Sequence, residues 1–184
     1  MIEVSEYKGL TLGPVTREVA QMAAGEKWLE DEVENRQQGF GKGYNGQANA
    51  IEGLLGLFER DHLENDFGVI GIYLEDAPAG FAAVDLHPDQ KLADLYLFVS
   101  PTKREQGLGS AVLNYLLGVI YANGSYRVQV DILKINKGGL HFLRERGFTW
   151  ESTKKASYWM DKNVYDIAHL RLLRPDWYEL NKEA

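Results

Sequence analysis

The sequence contains no cysteine among its 184 residues. Disulfide bonds, thiolate metal ligands and a cysteine nucleophile are therefore excluded. No apolar run approaches the roughly 18 residues that a membrane-spanning helix needs. The N-terminal stretch MIEVSEYKGL also lacks the basic and then apolar layout of a signal peptide. These absences predict a cytoplasmic protein that does not interact with a membrane.

The composition is that of a soluble globular domain, with 45% hydrophobic and 26% charged residues. The net charge of −7 is uneven: residues 1–66 carry 13 acidic and six basic side chains, whereas the remainder carries 14 of each. Nucleic acid is disfavoured as a partner because phosphate binding needs clustered Lys and Arg. The acidic first third is either a solvated surface or a field that attracts a cationic partner.

Apolar periodicity predicts alternating strands and helices in one α/β or α+β layer, with helices flanking a sheet. The strand at 94–100 is apolar at nearly every position, which favours a central strand covered on both faces. Strands are predicted at 2–12, 68–76, 79–86, 94–100, 126–133 and 157–162, and helices after Thr16, around 51–58, and at 108–120, 137–146 and 164–173.

The segment REQGLGS (104–110) joins the strand at 94–100 to the helix at 108–120. Gly107 and Gly109 carry no side chain that would block an anion from the backbone. The first N–H groups of the helix lack internal partners, and the helix dipole adds positive charge there. Arg104 adds a full charge and Ser110 a hydroxyl group. The pattern indicates either a phosphate site or a plain tight turn.

Two other signals are weak. GKGYNG (41–46) matches the spacing of a dinucleotide-binding loop, but a polar, helix-like segment precedes it where that motif requires a strand. The four histidines show no metal-ligand spacing, so no metal site is predicted.

Two motifs together resemble the GNAT superfamily of acyl-CoA-dependent N-acetyltransferases. The first is REQGLG (104–109), which is similar to the family's R/Q-x-x-G-x-G/A turn. The second is NKGGLHFLRERGF (136–148), which matches the family's pattern at Asn136, Gly139, Phe142, Gly147 and Phe148.

The resemblance implies a mixed, mainly antiparallel sheet with helices on both faces. It covers residues 1–162 as the acetyltransferase domain and leaves 163–184 as a short C-terminal helical extension. It also implies that acetyl-CoA is the cosubstrate, with its thioester in a gap between the strands at 94–99 and 126–133. The residues implied to bind the coenzyme are Phe98, Val99, Arg104, Glu105, Gln106, Gly107, Leu108, Gly109, Ser110, Asn136 and Phe142.

One departure from the family concerns the general acid. The tyrosine that often follows the motif phenylalanine is Leu143 here, which cannot donate a proton. Tyr96 is the candidate donor, beside the less favoured Tyr158 and Tyr115. Asp94 and Asp131 lie on the two strands that the family separates, and they are the candidate bases.

The predicted activity is transfer of an acetyl group to a primary amine by direct attack on the thioester. The alternatives are a coenzyme-binding module without catalysis and a protein that uses the fold only for structure or interaction. The acceptor is predicted to be an amine, either a cationic small molecule or a Lys-containing peptide or protein. The apolar C-terminal segment either caps the sheet or pairs two subunits in a homodimer.

Overall fold

Eight strands form one mixed sheet in the computed structural model, which describes residues 1–25, 67–160 and 162–182. The strands are β1 (Ile2–Glu3), β2 (Leu10–Gly13), β3 (Phe67–Leu74), β4 (Ala77–His87), β5 (Leu92–Val99), β6 (Arg127–Leu133), β7 (Thr149–Met160) and β8 (Asn163–Leu173). The helices are α1 (Arg17–Gly25), α2 (Leu108–Ala122), α3 (Lys137–Glu145) and α4 (Arg174–Leu180), and short 3-10 turns follow β4 and β5.

The sheet is antiparallel except at one junction. Its order is β1-β2-β3-β4-β5-β6-β8-β7, and β5 pairs with β6 in parallel. That pairing covers only three residue pairs and ends at Asp94 and Gln129. Beyond them β5 keeps its partner β4, and β6 keeps its partner β8. The two strands therefore separate in the middle of the sheet, and a gap opens between them.

Strand alternation gives the sheet two different faces in its central part. One face carries alternating apolar side chains, such as Leu95, Val128 and Leu170, and packs against α2. The buried stripe of α2 confirms the predicted amphipathic helix, although Val119 is 42% exposed. The opposite face carries polar side chains on β5, β6 and β8, and we call this the polar face.

The predicted mixed sheet with flanking helices is confirmed. The strands predicted at 68–76, 79–86, 94–100 and 126–133 are β3 to β6, and α2 and α3 begin and end within a few residues of the predictions. The cap at Thr16 is confirmed too, because its hydroxyl oxygen accepts the Val19 N–H at 3.4 Å. The segment 2–12 differs from the prediction: it forms two short strands that pair as a hairpin.

The helix predicted over 164–173 is wrong, because this segment is strand β8 and lies between β6 and β7 in the sheet. Ala168, Leu170 and Leu172 are fully buried on the apolar face, whereas His169 and Arg171 alternate onto the polar face. The segment also carries apolar residues at helical spacing, and that pattern misled the prediction. The strand predicted at 157–162 is the end of the longer β7.

A short C-terminal helix follows β8 instead, at α4, outside the predicted range. Its Trp177 packs on Tyr121 of α2, with ring centroids 5.4 Å apart. This contact supports a capping role for the C-terminal segment, and the homodimer stays a prediction. The Gly-rich loop at 39–46 and the helix at 51–58 lie outside the described residues.

Candidate active site

The turn before α2 has the backbone that an anion site requires. Gly107 is the N-cap of α2 and adopts a left-handed conformation, with φ of +83°. It provides no side-chain cap, so the N–H groups of Leu108 and Gly109 have no acceptor within the helix. Glu105 is also left-handed, with φ of +61°. The helix begins with bare N–H groups and the positive end of its dipole directed outwards.

Arg104 is fixed at the edge of this turn. Its Nε donates to the Val99 carbonyl oxygen at 3.0 Å, and its guanidinium carbon lies 5.6 Å from the Phe98 ring centroid. The side chain therefore carries its charge over the end of β5, beside the turn.

A cavity of about 570 Å³ lies between this turn and α3. On the α3 side, the Asn136 side chain caps the helix by accepting the Gly139 N–H at 2.7 Å. A methyl group built on Gly109 would lie 3.5 Å from the Phe142 ring, so a side chain here would fill the space between turn and helix. The cavity thus fits a phosphate-bearing ligand that approaches the backbone closely. Its walls are formed by Leu97, Val99, Arg104, Glu105, Gly107, Gly109, Ser110, Asn136, Gly138, Gly139, Phe142 and Arg146.

Most residues predicted to bind the coenzyme line this cavity, and the side chains of three do not. Leu108 is buried in the core, and the Gln106 amide donates to the Thr102 carbonyl oxygen at 3.4 Å. The Phe98 side chain stacks on Phe81 on the other face of the sheet, so only its main chain can contact a ligand here.

Arg146 is a cavity residue that the sequence reasoning missed. Its guanidinium lies 4.2 Å from the Phe142 ring centroid, and its Nη1 donates to the Phe142 carbonyl oxygen at 3.2 Å. Its Nε donates to the Ser110 hydroxyl at 3.2 Å, and Nη2 contacts the same oxygen. The available signal was its position four residues after Phe142, which places both on one side of α3. Two arginines therefore flank the turn.

A second, smaller cavity of about 70 Å³ lies in the gap between β5 and β6. Tyr96 and Asp131 line it from the two strands, and the buried Leu143 lines it from α3. Leu97, Gly139 and Phe142 line both cavities, so the gap adjoins the space at the turn.

Tyr96 is held in its protonated form. Burial raises its pKa above the ordinary value of 10.0, and the negative charges of Asp94, Asp131 and Asp85 raise it further. A phenol in this setting is a proton donor at neutral pH and not a base.

Asp94 lies where β5 and β6 separate, and two side chains orient its carboxylate. One oxygen accepts from the Gln129 amide at 2.8 Å. The other lies 2.9 Å from His87 Nε2, on the neighbouring strand β4. The structure thus places Asp94 two residues before Tyr96 on the same face.

Asp131 is held more strongly. One carboxylate oxygen lies 2.6 Å from His169 Nδ1, and the other lies 2.5 Å from the Lys154 ammonium. Burial alone would raise the pKa of Asp131, but the hydrogen bonds from Lys154 and His169 outweigh it, and the pKa falls below its usual value. Asp131 is therefore an ionised carboxylate at neutral pH and a weak base.

Behind His169, an arginine fixes the imidazole. Arg127 Nη2 lies 3.0 Å from His169 Nε2, and the same guanidinium pairs with Glu151. Because arginine only donates, Nε2 is assigned as the acceptor of this contact, and Nδ1 is assigned the hydrogen that faces Asp131. The hydrogen bond from Arg127 lowers the pKa of Glu151 to about 2. Asp131, His169, Arg127 and Glu151 form one connected network on the polar face.

A glycine turn at a helix N-terminus that adjoins a gap between two separated strands is the arrangement that the predicted acyltransferase class requires. The model of the acetyltransferase (GNAT) family matches residues 26–148, and the chain belongs to this family. The predicted family and the predicted acyltransferase class are confirmed.

No curated protein matches the sequence, but solved structures match the fold over nearly the whole chain. A probable acetyltransferase is 14% identical, with a TM-score of 0.80, and the match covers 95% of this chain and 97% of that one. RimL, a ribosomal-protein alpha-N-acetyltransferase solved with coenzyme A, is 16% identical with a TM-score of 0.78, covering 94% and 97%. A Vibrio cholerae spermidine N-acetyltransferase with CoA and spermine is 14% identical, with a TM-score of 0.77, covering 94% and 99%. At these identities they establish the fold alone. Among the described residues, no helix is long and apolar enough to cross a membrane.

Proposed function

We propose that the protein transfers an acetyl group from acetyl-CoA to a primary amine. The observation that carries this proposal is the connection between the two cavities, which share Leu97, Gly139 and Phe142. One end offers backbone N–H groups and two arginines to phosphates. The other end offers a gap between strands with a protonated tyrosine, which suits a thioester.

The phosphates of the coenzyme are assigned to the turn. The N–H groups of Leu108 and Gly109 and the charges of Arg104 and Arg146 supply donors for a pyrophosphate. Beyond Asp94, one edge of β5 faces the gap instead of pairing with β6, and its main chain is the expected contact for the pantetheine arm. The gap cavity of about 70 Å³ favours a short acyl group such as acetyl.

Tyr96 is assigned the proton transfer to the leaving thiolate. It lines the gap, and its raised pKa keeps the phenol proton in place. Leu143 lines the same cavity without a proton to give, so Tyr96 takes the part that a tyrosine at that position would have.

Asp94 is assigned as the base, acting on the amine directly or through a water molecule. Its partner His87 lies on the adjacent strand with a partly exposed side chain, which offers a proton route to solvent. Asp131 is the poorer base because its pKa is lowered. We assign it to binding instead of proton transfer.

The acceptor is proposed to be a cationic amine. Asp85, Asp94 and Asp131 act together on the Tyr96 phenol, so the gap lies in a negative field. An amine is mostly protonated near neutral pH, and such a field concentrates it before it loses a proton. The spermine bound to the spermidine acetyltransferase and the ribosomal-protein acceptor of RimL show two acceptor types for this fold: a small polycation and a protein amine.

The competing proposal is a coenzyme-binding module without catalysis, and Leu143 is the observation that favours it. Incubation with acetyl-CoA and a panel of amines separates the two proposals. An acetyltransferase releases one free CoA thiol for each acetylated amine. A binding module shows coenzyme affinity by calorimetry without either product.

A further inference from the structure

Lys154 of β7 directs an ammonium group to the wall of the gap. Lys154 pairs with Ile167 of β8, and this register places it on the polar face beside His169 and Asp131. Its Nζ lies 2.5 Å from Asp131 Oδ2, and Asp131 lines the cavity between β5 and β6. The side chain of Lys154 is four methylene groups ending in a primary ammonium, which is the chemistry of the acceptor proposed above.

The carboxylate that receives this ammonium is oriented independently of it. His169 holds the other oxygen of Asp131 at 2.6 Å, and Arg127 and Glu151 hold His169 in turn. The His169 side chain is only 13% exposed. Removal of Lys154 therefore leaves Asp131 in place, with Oδ2 still facing the same position.

Lys154 itself is weakly held. Within the part of the chain that the structure describes, Asp131 is the only group at hydrogen-bond or ion-pair distance from its ammonium. Its side chain is 49% exposed, and an ion pair at such exposure is screened by solvent and contributes little to stability. The flexible stem lets the ammonium leave without any change in the backbone.

We propose that Asp131, oriented by His169, is the binding subsite for the reacting ammonium of the acceptor, and that Lys154 occupies this subsite in the free protein as an internal competitor. The acceptor displaces Lys154, which then turns to solvent. This inference rests on the proposed function, since it assigns the ligand of the same site. It makes Lys154 a residue that weakens acceptor binding.

A binding experiment tests the subsite without turnover. n-Butylammonium, which reproduces the Lys154 side chain as a free molecule, is titrated by NMR into the protein saturated with CoA. Lys154→Ala is expected to bind it about two- to five-fold more tightly than the wild type, in the range of a partly exposed ion pair. Butanol, which lacks the charge, is expected to show no such gain. The gain is expected to disappear in the double variant Lys154→Ala, Asp131→Asn.

The matched control is Lys155→Ala, which removes the same charge from the next, exposed position. Equal n-butylammonium affinity in the wild type and Lys154→Ala would overturn the inference. So would an equal gain in Lys155→Ala, which would attribute the effect to net charge. An equal gain in the double variant would also overturn it, because the gain would then not need the Asp131 carboxylate.

Kinetics provide a second readout. With an acceptor from the amine panel, Lys154→Ala is expected to lower the KM for the amine about two- to five-fold and to leave the Kd for acetyl-CoA unchanged. If no amine is acetylated, the proposed function fails, and the n-butylammonium titration still decides whether the subsite exists. If an amine is acetylated and neither its KM nor n-butylammonium binding responds to Lys154→Ala, only the inference fails.

Discussion

Gly109 faces Phe142 across the mouth of the larger cavity, and a β-carbon added to Gly109 would lie 3.5 Å from the phenyl ring. The contact is an ordinary van der Waals distance, and the backbone of Gly109 is not left-handed. A side chain here would therefore leave the fold intact and occupy the ligand's approach to the helix N-terminus. Gly107 differs, because its φ of +83° strains any other residue.

Gly109→Val is expected to abolish measurable acetyl-CoA binding at concentrations that saturate the wild type. Calorimetry measures the affinity, and the thermal midpoint reports the fold. Gly118→Val is the control, since it puts the same side chain on α2, where an added β-carbon lies 3.8 Å from Trp177. An unchanged affinity for acetyl-CoA in a folded Gly109→Val protein would show that the coenzyme does not bind at the turn.

Arg146→Gln is expected to weaken acetyl-CoA binding about ten-fold or more, as the loss of a charge-assisted hydrogen bond of about 1.5–3 kcal/mol predicts. Arg144→Gln, an exposed position on the same helix, is expected to have little effect. Calorimetry measures the acetyl-CoA affinity of both variants. Equal affinities would show that Arg146 does not bind the coenzyme and only holds Ser110 and Phe142 in position.

Tyr96→Phe is expected to reduce kcat about 100-fold, the lower end of the usual range for general acid catalysis. The Kd for acetyl-CoA is expected to stay unchanged, because the phenyl ring keeps the wall of the gap. Since the raised pKa keeps Tyr96 protonated, the wild-type rate should show no alkaline loss from this group below pH 10. An equal kcat in Tyr96→Phe and the wild type would show that the CoA thiolate departs without a proton from Tyr96.

Glu151 is expected to make the free energy of unfolding depend on pH in the acidic range. Its pKa of about 2 in the folded protein lies below the ordinary 4.5, so its ionised form stabilises the fold above pH 4.5. That contribution decreases as the pH falls from 4.5 towards 2. Urea unfolding of the wild type and Glu151→Gln should therefore differ most at pH 6–7 and converge near pH 2. A difference that does not change with pH would contradict the ion pair with Arg127.

The sequence was sufficient for the parts of the site that depend on local backbone. Gly107 and Gly109 between an apolar strand and an amphipathic helix predicted the tight turn before α2, and the helix predicted from residue 137 is α3. The network around Asp131 was not predictable in the same way. His169 meets Asp131 only because β8 lies between β6 and β7, and the segment of β8 has apolar residues at both helical and alternating spacing. Arg146 meets Ser110 only because the tertiary fold brings the end of α3 beside the first turn of α2.

The most direct test of the central claim is a single assay of acetyl-CoA with a panel of amines, in which released CoA thiol and acetylated amine are both quantified. The panel contains polyamines, lysine amides, peptide N-termini and an uncharged aromatic amine. The account predicts equal amounts of thiol and acetylated product, with cationic amines preferred and a KM that rises with salt concentration as their attraction is screened. Saturable binding of acetyl-CoA with no acetylated amine from any member of the panel would contradict it.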